Sequence, residues 1–126
     1  MHRDLKSLNV LITASWRGKV SDFGHSKKDT SNLFSNASLA NMSRGGGLGT
    51  TRWRAPEQFG SKKSKKPPFN EGCDVYSYGI VIWETLTGQV PFEDYANDEV
   101  ALPVVQGERP SPMPEGADEE IVGLMQ

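Results

Sequence analysis

His2-Arg3-Asp4-Leu5-Lys6-Ser7-Leu8-Asn9, followed further on by Asp22-Phe23-Gly24, are the stretches on which the reading of this 126-residue chain turns. Asp4 is a carboxylate that can orient a hydroxyl and take its proton. Lys6, two residues on, can reach a negatively charged group and offset its charge. Asn9 and Asp22 are oxygen donors of the hard type that Mg2+ prefers, and that ion is usually held by one or two side chains together with phosphate oxygens and water. Between them, Val10-Leu11-Ile12 and Lys19-Val20-Ser21 are short β-prone runs joined through Trp16-Arg17-Gly18. They predict a small hairpin that carries Asn9 at one end and Asp22 at the other. A hairpin returns the chain on itself, so it brings the two proposed metal ligands close together.

Outward from the hairpin, residues 26–51 shift to Ser, Asn, Gly and Thr with few apolar side chains, the composition of a loop with little reason to order itself. The glycines of Gly45-Gly46-Gly47-Leu48-Gly49 do not complete a Gly-x-Gly-x-x-Gly phosphate cradle, and neither a clear strand before them nor a Val-Ala-x-Lys after them supports one. Ala55-Pro56-Glu57 closes the loop. The basic run Ser61-Lys62-Lys63-Ser64-Lys65-Lys66-Pro67-Pro68 reads as a solvated surface loop. From Asp74 to Leu86, Val75, Tyr78, Ile80, Val81, Ile82, Trp83 and Leu86 spread apolar surface nearly all round, which predicts a buried helix ending at Gly88 and Pro91. Asn97 to Gln106 reads as a short helix, which Pro103 would disrupt if it lies in the interior. Arg109 to Glu115 is a Pro-rich connector, and Asp118 to Gln126 starts another helix.

A net charge of −2 leaves no global basic footprint for nucleic acid. Hydrophobic content of 36% is low for a compact domain, which fits a piece whose partner surfaces lie elsewhere or a chain with a long mobile segment. Cys73 is the sole cysteine, so no intrachain disulfide forms, and a small inert buried thiol in a reducing compartment is the expected reading. Polar residues at the N-terminus do not look like a signal peptide. The longest apolar run, Ile80 to Trp83, is far short of the ~20 residues a bilayer demands. The chain therefore reads as soluble and cytoplasmic.

His-Arg-Asp-Leu-x-x-x-Asn followed by Asp-Phe-Gly and Ala-Pro-Glu resembles the catalytic half of a eukaryotic protein kinase. Lys6 in His-Arg-Asp-Leu-Lys favours kinases that act on Ser or Thr. Leu-Lys-Ser-Leu-Asn, Gly-Thr-Thr-Arg-Trp-Arg-Ala-Pro-Glu and Asp-Val-Tyr-Ser-Tyr-Gly-Ile-Val-Ile-Trp-Glu look like the tyrosine-kinase-like group, which includes the Raf and mixed-lineage kinases. The resemblance implies an α+β fold: a mainly α-helical, partial kinase C-lobe over residues 1–126, with the small β-hairpin carrying the metal ligands. It places the catalytic loop at 2–9, the activation segment at 22–57 and the central buried helix at about 74–87.

The family's roles transfer onto matching positions. Asp4 is the expected base, Lys6 the partner of the transferred phosphoryl group, and Asn9 and Asp22 the residues that hold Mg2+ against ATP. Thr50 is expected to bond Asp4 and Lys6. Arg3 is suited to pair with a phosphate on the loop, with Thr30, Ser31, Ser35, Ser38, Ser43 and Thr51 as candidate acceptors. Phe23 and Gly24 complete the metal-binding motif, and Phe23 is expected to pack on His2, for which no metal role follows. Asp74 is expected to accept backbone hydrogen bonds from the catalytic loop. Glu57 has no family partner here, since the arginine it normally pairs with should lie beyond Gln126.

No Gly-rich loop, strand lysine or helix glutamate of the nucleotide pocket appears in these residues, so the N-lobe and the C-terminal end of the domain read as absent. The leading reading is a fragment of an active kinase whose parent transfers the ATP γ-phosphoryl group to Ser or Thr of protein substrates. Nucleic acid and membrane are not expected partners. The isolated chain is expected to be inactive and poorly soluble. The alternative is a non-catalytic binding module or decoy that competes for a kinase's substrates or partners through the surface around Thr50 to Glu57 and the helix after Asn97.

Overall fold

Seventeen residues, Glu71–Thr87, form the helix α1 against which the rest of the chain packs. This computed structural model describes residues 1–26, 50–60 and 70–125. Asn70 starts α1: its extended backbone precedes the helix, and its side-chain oxygen accepts from the Cys73 N–H at 3.3 Å. Gly88 ends it in the left-handed region at φ 67°, with its N–H on the Glu84 carbonyl at 2.8 Å. The helix thus begins earlier than the expected Asp74, because the cap lies outside the apolar run.

One face of α1 is buried, through Cys73, Ser77, Ile80, Val81 and Trp83, at spacings of three and four residues. Val75, Tyr78 and Leu86 lie on the open side. The expected burial of this helix therefore holds on one face only: its apolar residues exceed what its neighbours among the described residues cover. The core joins Ile80 and Val81 of α1 to Trp53, Phe92, Val100 and Val104, with Val10, Phe59, Tyr76 and Tyr95 packed at its edge.

Helix α2 is Ala101–Val105, shorter than the expected Asn97 to Gln106. Pro103 sits in it without breaking it, because it does not fall in the interior where disruption is expected. It is the third helical residue, in the first turn, where the backbone N–H groups have no intrahelical acceptor to lose. Helix α3, Glu119–Met125, begins as expected, with Asp118 accepting from the Glu120 N–H at 2.8 Å. The connector before it lies against α1: the Trp83 indole donates to the Pro112 carbonyl at 3.0 Å, and Arg109 stacks over Tyr76 at 5.2 Å.

The sheet is a two-stranded antiparallel hairpin, β1 (Val10–Ile12) and β2 (Gly18–Val20), with Val10 opposite Val20. Asn9 and Asp22 flank this hairpin and do not lie in its strands. Asn9 ends a single 3-10 turn, Ser7–Asn9, and Asp22 precedes another, Phe23–His25. Small, α+β and mainly helical, the arrangement agrees with a kinase C-lobe fragment.

Candidate functional site

The catalytic-loop stretch is held from below by α1. The Asp74 carboxylate accepts from the His2 N–H at 2.7 Å and from the Arg3 N–H at 2.9 Å, one oxygen for each. Arg3 has φ 73°, an unusual conformation for a residue with a side chain, and these bonds help to fix the turn there. His2 is buried and its ring is used on every side. Nε2 lies 2.9 Å from the Ser21 carbonyl, which only a protonated nitrogen can bond, while Nδ1 accepts from the Asp4 N–H at 3.3 Å. Its face meets the Phe23 ring edge-on, centroids 5.0 Å apart. His2 thereby ties the loop carrying Asp4 to the segment carrying Asp22.

Asp4, Lys6 and Thr50 form a continuous chain. Lys6 Nζ lies 3.0 Å from Asp4 Oδ2 and donates to Thr50 Oγ1 at 3.0 Å. Two of the three ammonium protons are so engaged, and one is left for a further acceptor. Asn9 is buried, and its amide nitrogen donates to the Asp4 carbonyl at 2.7 Å and reaches Asp4 Oδ2 at 3.3 Å. The amide is thereby oriented, with its nitrogen toward Asp4 and its oxygen turned the other way. The Asn9 carbonyl in turn accepts from both the N–H (2.8 Å) and the hydroxyl (3.0 Å) of Ser21, which precedes Asp22. Asp22 has φ 59°, and one of its carboxylate oxygens accepts a long 3.4 Å bond from the Gly24 N–H. The donor set of Asn9 and Asp22 fits Mg2+ in type, two oxygens with the rest of the shell open to phosphate and water. Among the described residues no group of three His, Cys, Asp or Glu is placed to hold a metal.

Three further residues position this site, and the sequence reading did not single them out for it. Glu84, on the last turn of α1, accepts from Ser7 Oγ at 3.0 Å and from the Trp53 indole N–H at 2.7 Å. Burial pushes its carboxyl above the ordinary range, and the two donors pull it part of the way back. The available signal was an acid at the end of a helix, where the helix dipole disfavours negative charge. Arg52 holds the carbonyls of Pro91 (2.8 Å), Phe92 and Tyr95 (2.8 Å) and the Asn97 side chain (2.9 Å). This anchors residues 50–55 to the loop after α1. Burial lowers the Arg54 pKa, and the Asp4 charge offsets part of that shift.

Glu57 takes a Cys73 thiol contact at 3.5 Å. The Cys73 pKa is raised, first by burial and then by the Glu57 and Asp74 charges against a backbone bond that lowers it, which keeps the thiol protonated and unreactive. Thr51 opens a 3-10 turn, Thr51–Trp53. Thr30, Ser31, Ser35, Ser38, Ser43, the glycine run and the lysine run lie outside the described residues. No described helix is long and apolar enough to cross a membrane.

A family model described as protein tyrosine and serine/threonine kinase matches residues 1–126. A probable LIM domain-containing serine/threonine-protein kinase of Dictyostelium discoideum is 40% identical over 88% of this chain and 15% of its own length. The mitogen-activated protein kinase kinase kinase dlk-1 of Caenorhabditis briggsae is 39% identical over 99% of this chain and 13% of its own. The serine/threonine/tyrosine-protein kinase HT1 of Arabidopsis thaliana is 36% identical over 99% of this chain and 28% of its own. The chain thus spans less than a third of the length of each of these relatives.

Proposed function

This chain belongs to the protein tyrosine and serine/threonine kinase family, and we propose that it carries the phosphoryl-transfer half of a protein serine/threonine kinase. The observation that supports this most is the chain Asn9–Asp4–Lys6–Thr50, in which a carboxylate, an ammonium and a hydroxyl meet at 3.0 Å spacings. Asp4 Oδ2 is occupied by Lys6 and Asn9. Oδ1 accepts no hydrogen bond among the described residues, and it is the atom assigned to orient the substrate hydroxyl and take its proton. Lys6 has one N–H left to meet the negative charge of the group being transferred. Thr50 holds that ammonium in place and fixes the distance between the activation segment and the catalytic loop.

Bound MgATP supplies the phosphoryl group, and Asn9 and Asp22 are the residues assigned to the metal. In such transfers the protein mostly positions groups and neutralises charge, so fixed side chains matter more than covalent chemistry. Arg3 is assigned to a phosphate on the activation segment. The acceptor is a Ser or Thr of a protein substrate, on the strength of Lys6 and Thr50. The compartment is assigned as cytoplasmic, in keeping with a single buried thiol.

The test uses the longest native polypeptide that contains residues 1–126, supplied with labelled ATP, Mg2+ and Ser, Thr and Tyr peptides. Label should enter Ser or Thr, and Asp4→Asn should lower the rate by about 10²–10⁴-fold, as loss of a general base does. Label in Tyr alone would remove the Ser/Thr assignment. Equal rates for the two proteins would remove Asp4 as the base.

A further inference from the structure

Glu84 joins two residues, Ser7 and Trp53, that lie on different elements of the site. Ser7 belongs to the catalytic loop, one residue from Lys6 and three from Asp4. Trp53 belongs to the activation segment, three residues from Thr50. Glu84 Oε1 takes the Ser7 hydroxyl at 3.0 Å, and Oε2 takes the Trp53 indole at 2.7 Å. Each donor therefore uses a different oxygen of one rigid, planar group, and moving either donor tilts the acceptor offered to the other. The platform beneath is firm. Trp53 is buried, its carbonyl meets the Ser77 hydroxyl of α1 at 2.8 Å, and Ile80 and Val81 pack with it in the core.

We propose that Glu84 is a positioning residue that couples the two halves of the site, so that the seating of Trp53 in the activation segment sets the position of Ser7 and with it Lys6 and Asp4. This rests on the kinase reading and adds the route by which the state of the segment reaches the base. The direct contact of Lys6 with Thr50 gives one link between the loop and residues 50–53, and Glu84 gives a second. With both made, the catalytic loop is gripped between the segment and α1. With Glu84 unable to accept, the bond of Lys6 to Thr50 is left to join the loop to residues 50–53 among the described residues, and that link bears on the reacting groups themselves.

The substitutions separate coupling from bulk stability. Ser7→Ala and Trp53→Phe each delete one donor and keep most of the packing. Glu84→Gln keeps one acceptor and adds an N–H that the rotatable Ser7 hydroxyl can accept, so it can hold both partners. Glu84→Leu can hold neither. In the native polypeptide, Ser7→Ala and Trp53→Phe should each raise the KM for the acceptor peptide by about 3–10-fold, the scale of one ordinary lost hydrogen bond, while the KM for ATP stays within twofold. The double variant should be no worse than the worse single, because both act through one carboxylate. Glu84→Leu should match the double, and Glu84→Gln should stay within about threefold of the wild type, since it keeps both contacts.

Multiplying losses in the double variant would overturn the coupling. So would a Glu84→Gln as poor as Glu84→Leu, or a parallel rise in both KM values with a lowered Tm. If the wild type transfers no phosphate above Asp4→Asn, the kinase reading fails separately. The coupling is then read by hydrogen exchange: Trp53→Phe should speed exchange in residues 4–9, and unchanged exchange there would overturn it.

Discussion

Two backbone N–H groups, those of His2 and Arg3, depend on the single carboxylate of Asp74. Asp74→Asn leaves one acceptor for two donors and turns an amide N–H toward the other. A partly buried hydrogen bond to a charged group is worth about 1.5–3 kcal/mol, so the substitution should cost about 2 kcal/mol in urea unfolding and lower phosphate transfer in the native polypeptide. An unchanged midpoint would mean the loop holds itself. Asp74, His2 and Phe23 were all legible, because motif residues with a fixed place in the family bring their partners with them. Glu84 was not, since Ser7 and Trp53 are far from it in sequence and its role exists only once the helix is packed. Its environment makes a second prediction. Burial raises the Glu84 carboxyl pKa, so the folded chain holds a proton that the unfolded chain has already released, and rising pH then costs stability. Glu84→Gln carries no such titration. Measured against it by urea unfolding, the wild type should lose stability as pH rises from about 4, the ordinary carboxylate range, and level off above the raised value. A gap that stays constant with pH would mean that burial does not penalise this charge.

At the scale of elements, α1 carries the site from beneath, and its start decides where Asp74 points. The cap Asn70 lies outside the apolar run, which is why periodicity placed the helix start too late. Asn70→Ala should cost about 1 kcal/mol, the usual price of a lost N-cap, and should loosen residues 71–74 before it loosens the Ile80–Trp83 stretch. Hydrogen exchange resolved by segment reads that order, and uniform loosening would mean the cap acts through global stability alone. The hairpin was legible from two β-prone runs around a turn. The length of α2 was not, because Pro103 is acceptable or damaging according to its place in the turn, which the sequence does not state. Nor was the open side of α1. Hydrophobic residues on every side of a helix say that it is able to be buried; the neighbours decide which sides are.

For the whole molecule, that open side belongs to a larger pattern. Leu11, Ile12 and Val20 of the hairpin, Phe23 beside Asp22, and Val75 and Tyr78 of α1 are all exposed, Phe23 at 62%. Single exposed apolar residues are ordinary, but several grouped on the hairpin that flanks the proposed metal ligands, and along one helix, make the kind of apolar surface that drives association. The relatives carry several times more chain than these residues. The nucleotide-pocket motifs that the family needs, a Gly-rich loop and a strand lysine, are not among the 126 residues. Both facts bear on one experiment with the 126-residue chain alone. On the proposed assignment Asp4, Lys6, Asn9 and Asp22 would position a phosphate tail, yet this sequence lacks the Gly-rich loop and strand lysine that would grip the rest of the nucleotide, so turnover should be absent at millimolar ATP. The same chain should self-associate in sedimentation and bind a hydrophobic dye, and replacing Leu11 and Val20 with lysine should reduce both without restoring turnover. A monomer that leaves the dye unbound would show that these side chains find cover within the chain. ATP turnover that disappears in Asp4→Asn would show that half of the nucleotide site is enough.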